Sequence, residues 1–282
     1  RGDSQFRAVL SGQCERRKAV ELVNKELSQR LREGGLAQMP SEKNELGQPI
    51  GDAVSGWKPP SYPPHTFMVG QYCRVEPLNV NQHAAELYAA YALDRGNRLW
   101  TYLPYGPFNT LESYVAWMHR TCCAADSLFF AIIDAASRQA VGVASYLRID
   151  TANGCAEIGH INFSPRLQRT TAATEAMYLM LQRLFELGYR RVEWKCDALN
   201  APSRAAAQRL GFTYEGLFRQ ACIYKGRNRD TAWYAMIDQE WPLLQRAFLR
   251  WLHPDNFHAY GTQRTRLADL RLQQTDESQE GT

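Results

Sequence analysis

The seven cysteines are an odd number, scattered without any C-x-x-C pair. That argues for free thiols in a reducing compartment and against a zinc site, so no metal is expected. No apolar run approaches the ~20 residues of a membrane-spanning helix, and no transmembrane segment is expected. An intact secretory signal and the Gly-x-Ser-x-Gly elbow of serine hydrolases are also missing. Charge of one sign is scarce: 33 Lys and Arg against 29 Asp and Glu leave +4, with a pI near 8.7. Arg16-Arg17-Lys18 and the group Arg264, Arg266 and Arg271 therefore read as solvated basic faces, and nucleic acid is not expected as a partner.

What remains is a chain able to bury a full core, 45% hydrophobic and 22% charged over 282 residues. Its middle carries the patterning of one domain, residues 67–257, between two arms. In the arm 1–66 one amphipathic helix fits Cys14 to Arg32, with Val20, Val23, Leu27 and Leu31 on a face and Gly34-Gly35 as its stop; a Pro/Gly-rich linker follows. The tail 258–282 is polar. Such arms suit protein partners, because an amphipathic face gains stability by finding a surface. A chain opening on Arg1 rather than Met is compatible with a processed form that has lost a targeting segment, as in a mitochondrial protein; a cytoplasmic protein is the alternative.

Within the domain, alternation and turn residues predict strands near 67–76, at 127–134, 140–150 and 156–163, and helices near 81–93 and 111–122. Pro165 ends the last strand, and Thr171 to Leu187 then carries Ala173, Met177, Met180, Leu181, Leu184 and Phe185 at helical spacing, with Gly188 as stop. A helix that starts so soon after a strand presents unpaired N–H groups and the positive end of its dipole, which suits Gln168, Arg169, Thr170, Thr171, Ala172, Ala173 and Thr174 to a pyrophosphate. The plainer reading is a strand-to-helix turn capped by Thr170 or Thr171. Arg190 to Cys196 reads as a strand with Val192, Trp194 and Cys196 on one face. Asn200 to Leu210 reads as a short helix with Asn200 as its N-cap, Pro202 in its first turn and Gly211 closing it.

The run Glu157-Ile158-Gly159-His160-Ile161-Asn162-Phe163, the loop 168–176, Asn200-Ala201-Pro202-Ser203 and Leu210-Gly211-Phe212 together resemble the acetyl-CoA-binding core of the GNAT superfamily of N-acyltransferases, in its RimJ/RimL-type branch. Gly70 to Leu78 resembles the family's opening strand, and 225–234 followed by Glu240-Trp241-Pro242 its closing hairpin and final helix. The resemblance implies an α/β (α+β) fold: a mixed, mostly antiparallel sheet, two central parallel strands that splay apart, and helices on both faces. It implies acetyl-CoA as acyl donor, with Asn200 bonding the pantetheine arm and no metal. The implied activity is transfer of an acetyl or short acyl group to a primary amine, whether a protein N-terminus or a small amine. Two departures stand against the pattern: Thr171 replaces the loop's middle glycine, and Ala207 occupies the position of the family's usual tyrosine acid. They keep open a second reading, a GNAT-fold structural or accessory subunit of a larger assembly.

Acyl transfer to an amine requires proton removal and N–H donors for a developing oxyanion. Glu157, which resembles the glutamate at the start of the family's central strand, is the first candidate base, with His160 behind it. Ser203 is a candidate acid toward the leaving thiolate, and the backbone at Asn162 and Phe163 the candidate oxyanion donor. Each has an ordinary alternative: a solvated strand glutamate, a core histidine, a helix cap. The aromatic loop Trp100 to Phe108 falls where the family builds its acceptor pocket, or packs on the core.

Overall fold

Period-2 alternation through the middle of the chain becomes a sheet of eight strands, lying side by side in the order 68–69, 73–77, 127–134, 140–150, 155–163, 191–197, 227–237 and 213–224. The computed structural model describes residues 42–123 and 126–279. They fall into two units, divided after Trp57. The predicted helix over 14–32 lies outside the described residues.

The described part of the first unit is a small exposed hairpin, β1 (Glu42–Lys43) with β2 (Pro49–Ile50). The Asn44 side chain accepts from the N–H groups of Leu46 and Gln48 and so closes its turn.

In the second unit the strands are β3 (Met68–Val69), β4 (Cys73–Pro77), β5 (Ser127–Asp134), β6 (Ala140–Asp150), β7 (Cys155–Phe163), β8 (Arg191–Asp197), β9 (Thr213–Tyr224) and β10 (Arg227–Ile237). Every neighbouring pair is antiparallel except β7 and β8, which run parallel. Helices α1 (Val80–Tyr91) and α2 (Leu111–Thr121) cover one face of the first half, closing a core around Tyr114, Trp117, Met118, Phe129 and Ala131. The opposite face carries α3 (Thr171–Glu186), α4 (Ala201–Leu210), α5 (Trp241–Leu252) and α6 (Leu267–Gln279) over a larger core that includes Ile158, Leu181, Trp194 and Phe248. The expected mixed sheet with helices on both faces is the fold observed.

Residues 58–66, read from sequence as linker, lie against this unit. Pro60 and Pro63 are buried, Tyr189 Oη donates to the Ser61 carbonyl at 3.2 Å, and the Arg183 guanidinium donates to the carbonyls of Pro64, Thr66 and Phe67. In the tail, α6 buries Leu267 and Leu270, and Arg271 donates to the carbonyls of Gln208 and Arg209, which ends α4. Composition hides these contacts, because two leucines and an arginine are enough to seat a polar helix.

One carboxylate fixes where α3 begins relative to the sheet. Glu175, buried in the first turns of α3, accepts from the N–H groups of Gln71, Tyr72 and Cys73 at 2.8, 2.6 and 2.8 Å. Gly70 makes room for it, since a Cβ there would lie 2.3 Å from the Glu175 carboxyl carbon.

Candidate functional site

Strands β7 and β8 pair only through Cys155, Ala156 and Glu157 against Arg191, Val192 and Glu193. Beyond that point β7 runs on to Phe163 and β8 to Asp197 with no strand partner between them, so the two part into a wedge. A bulge in β7 accompanies the parting. Gly159 pairs with Ser145 and Asn162 with Val143, so β7 spends one residue more than β6 there, and His160 takes a φ of +48°.

At the open end of the wedge stands the N-terminus of α3. Thr170 caps it, its hydroxyl accepting from the Ala173 N–H at 3.1 Å, and Arg169 makes the preceding turn with a φ of +62°. Among the described residues the N–H groups of Arg169, Thr171 and Ala172 have no acceptor in the protein. The buried hydroxyl of Ser164, at the head of the same loop, is likewise unpartnered. Gln168 reaches back to the Phe163 carbonyl, and Thr174 accepts from Arg209 of α4. Three free N–H groups on a helix N-terminus suit a phosphate. Thr171 stands at the helix's first position, where its side chain leaves that N–H in place.

Across the wedge, Asn200 caps α4 by accepting from the Ser203 N–H at 3.1 Å. Ser203 Oγ accepts from Trp194 Nε1 at 3.0 Å, near the buried Cys196 thiol, which desolvation holds above its ordinary pKa. Ala207 is fully buried on the inner face of α4.

The face of the sheet that α1 and α2 leave open beside β7 carries an ionic array. Glu157 is 5% exposed; its Oε2 accepts from Arg148 of β6 at 3.0 Å and lies 3.1 Å from Lys195 Nζ. Lys195 also pairs with Glu193 at 2.6 Å, its ammonium 3.7 Å from the centre of the Trp233 ring, which stacks on Phe218. Arg191 continues the row from Glu193 to Glu215. Burial raises the Glu157 pKa, with Lys195 and Arg148 pulling it part-way back. For Glu193 burial also acts upward, but the hydrogen bonds from Lys195 and Arg191 outweigh it and its pKa is lowered. Gly159 gives the Glu157 carboxylate its space: a Cβ there would stand 3.1 Å from Oε1 and 2.8 Å from Leu147.

His160, at the bulge, sits between this array and the aromatic core. Its Nδ1 is 3.2 Å from Tyr105 Oη, its ring packs on Tyr105 and Phe129, and burial lowers its pKa. The loop Trp100 to Phe108 packs inward on Tyr91, Tyr114 and Trp117, yet its rim joins the turn between β9 and β10: Lys225 Nζ donates to the Trp100 carbonyl at 2.7 Å.

Residues 74–213 match the model of the acetyltransferase (GNAT) domain family. A solved GCN5-related N-acetyltransferase from Brucella melitensis is 44% identical, with 77% of this chain and 99% of that one covered at a TM-score of 0.76. The chain belongs to the GNAT acetyltransferase family. The Microcin C7 self-immunity acetyltransferase MccE, solved in complex with acetyl-CoA and AMP, is 25% identical over 62% of this chain and 97% of its own, with a TM-score of 0.54. The N-acetyltransferase YnaD of Bacillus subtilis is 34% identical over 87 residues, 30% of this chain; the matched stretch spans 50% of that relative's length.

The GNAT chain thus brings Glu157, His160, Asn162 and Phe163 to one wall of the wedge, Gln168 to Thr174 to its end, and Asn200 and Ser203 to the opposite side. Sequence reasoning did not single out Arg148, Glu193, Lys195 or Trp233. The alternation of β8 carries the signal for two of them: once Val192, Trp194 and Cys196 are given to the core, Glu193 and Lys195 must share the other face. Their meeting with Glu157 needs the parallel register, which no local pattern encodes.

Proposed function

We propose that this GNAT protein is an acetyl-CoA-dependent N-acyltransferase of the RimJ/RimL type, moving an acetyl or short acyl group to a primary amine on a protein N-terminus or a small molecule. The observation that carries the reading is the wedge between β7 and β8, ending on the unpaired N–H groups of Arg169, Thr171 and Ala172. In this reading those groups and the rest of the Gln168 to Thr174 turn hold the pyrophosphate, and the Asn200 amide lies beside the pantetheine arm. Acetyl-CoA supplies an acyl group activated as a thioester. Glu157 takes the proton of the acceptor amine, directly or through water, using Oε1, which accepts no hydrogen bond from the protein among the described residues. In the same reading the backbone at Asn162 and Phe163 is the oxyanion donor. Ser203 stands on the α4 side as the candidate acid, its oxygen already engaged by Trp194.

Calorimetry with acetyl-CoA and with CoA tests binding, and CoA release over a panel of primary amines tests turnover. Heat on titration with acetyl-CoA and release with at least one amine are expected. Absence of heat at millimolar ligand in folded protein overturns the reading. A second reading, an accessory subunit with weak or no catalysis, draws on Ala207, whose methyl leaves no proton donor at that position of α4. Binding of acetyl-CoA without release to any amine favours it.

A further inference from the structure

A lysine taken out of water is costly unless its charge is matched. The Lys195 side chain is 5% exposed, and its ammonium is matched twice, by Glu157 at 3.1 Å and Glu193 at 2.6 Å, over the face of Trp233. It lies two positions past Glu193, the last residue of β8 paired with β7, so it stands on the diverging part of the strand and reaches back across the opening. A merely structural lysine would be satisfied by Glu193, its nearer partner on its own strand. We propose that Lys195 is a positioning residue for the transfer reaction, holding and charge-balancing the Glu157 carboxylate at the rim of the wedge. The inference rests on the proposed role of Glu157 as base.

The geometry divides the carboxylate into an anchored and a working oxygen. Lys195 and Arg148 both address Oε2, from β8 and β6. Oε1 turns toward Gly159, where the missing Cβ leaves it space. A carboxylate fixed through one oxygen presents the other in a defined direction, which a base needs if it is to meet a proton on a bound amine. The charged and titratable groups facing Glu157 are Arg148 from β6 and Lys195 and Glu193 from β8; Arg191 and Glu215 stand behind Glu193. Of these, Lys195 alone bridges both acids. Without it, Glu157 and Glu193 face each other across a parallel pair with only Arg148 and Arg191 at their outer sides.

The sign of each substitution follows. Lys195→Met removes a cation in contact with Glu157, so the carboxyl should titrate higher by about 1–3 pH units. Lys195→Arg keeps the charge and should hold the midpoint near the wild-type value. Glu193→Gln removes a like charge and frees Lys195 for Glu157 alone, so the midpoint should fall.

The test is a titration of the full chain labelled with 13C at the glutamate carboxyls, the Glu157 resonance assigned by its loss in Glu157→Gln. A rise in Lys195→Met, little change in Lys195→Arg and a fall in Glu193→Gln are expected. An unchanged midpoint in Lys195→Met overturns the inference. Where Lys195→Met does not fold, Glu193→Gln decides: an unchanged or raised midpoint overturns it. Turnover of Glu157→Gln is read separately in the amine panel. Full activity there removes Glu157 from the reaction, and the base role falls while the measured pairing stands.

Discussion

Replacing Glu175 by Gln tests the claim that one carboxylate docks α3 on the sheet. Glu175 Oε2 accepts from Tyr72 and Cys73, and Oε1 from Gln71. In Glu175→Gln the amide oxygen can serve the first pair, while the NH2 must face the Gln71 N–H, donor against donor. One buried donor left unpaired costs about 1–3 kcal/mol, and the two surviving bonds each lose about 1 kcal/mol on passing from a charged to a neutral acceptor. The sum is a loss of about 3–5 kcal/mol, or about 6–20 °C in Tm for a unit of this size. Denaturant unfolding followed by tryptophan fluorescence measures it, with the m-value checked for constancy. Glu175→Leu should lose more, since all three donors are then orphaned. A loss under about 1 kcal/mol in both variants would refute the reasoning, because it would mean that water or a shifted turn serves those N–H groups equally well.

Glu157→Gln should lower kcat by about 10²-fold while acetyl-CoA affinity stays near wild type, as typical for a general base; unchanged turnover removes the residue from the mechanism. Because burial raises the Glu157 pKa and a base works only when ionised, kcat/KM should rise with pH through a limb placed above the ordinary carboxylate range; a limb at ordinary carboxylate pH contradicts this. The same upward shift means that Glu157's contribution to folding is full below its unfolded pKa and is lost as pH rises through the folded one. Thr170→Ala, which frees the Ala173 N–H, should cost about 1 kcal/mol in thermal unfolding. Gly211→Ala should be destabilising by about 1–3 kcal/mol, since Gly211 closes α4 at a φ of +107° and a Cβ would meet Leu244 at 2.7 Å; a neutral melt would show that this turn relaxes.

Most elements were legible because their periods are clean: 127–134 and 140–150 emerge as strands over the predicted residues, and Thr171 begins its helix as its spacing predicts. Asn200 as a cap and Gly211 as a stop are local chemistry and appear as such. The ionic array was illegible, since Arg148, Glu157 and Lys195 come from three strands and meet only through the sheet's register. The bulge was hidden too: alternation from Ala156 to Phe163 reads as an unbroken strand, and the residue at positive φ is a histidine, where a glycine would have flagged it. Beyond His253 the polar composition concealed α6, whose anchors are Leu267 and Leu270.

The extra residue at His160 resets the parity of β7. Along an ordinary strand odd and even positions never share a side, yet here Glu157 pairs with Leu147 and Asn162 with Val143, two β6 residues of the same parity. The strand has slipped phase by one. Deleting His160 alone would bring odd and even back into step: Asn162 would keep Val143 opposite and its place on the Glu157 side, now at the even spacing of a regular strand. What would go is the bend that the extra residue gives β7 on its β6 side, the bend that accompanies its parting from β8 on the other.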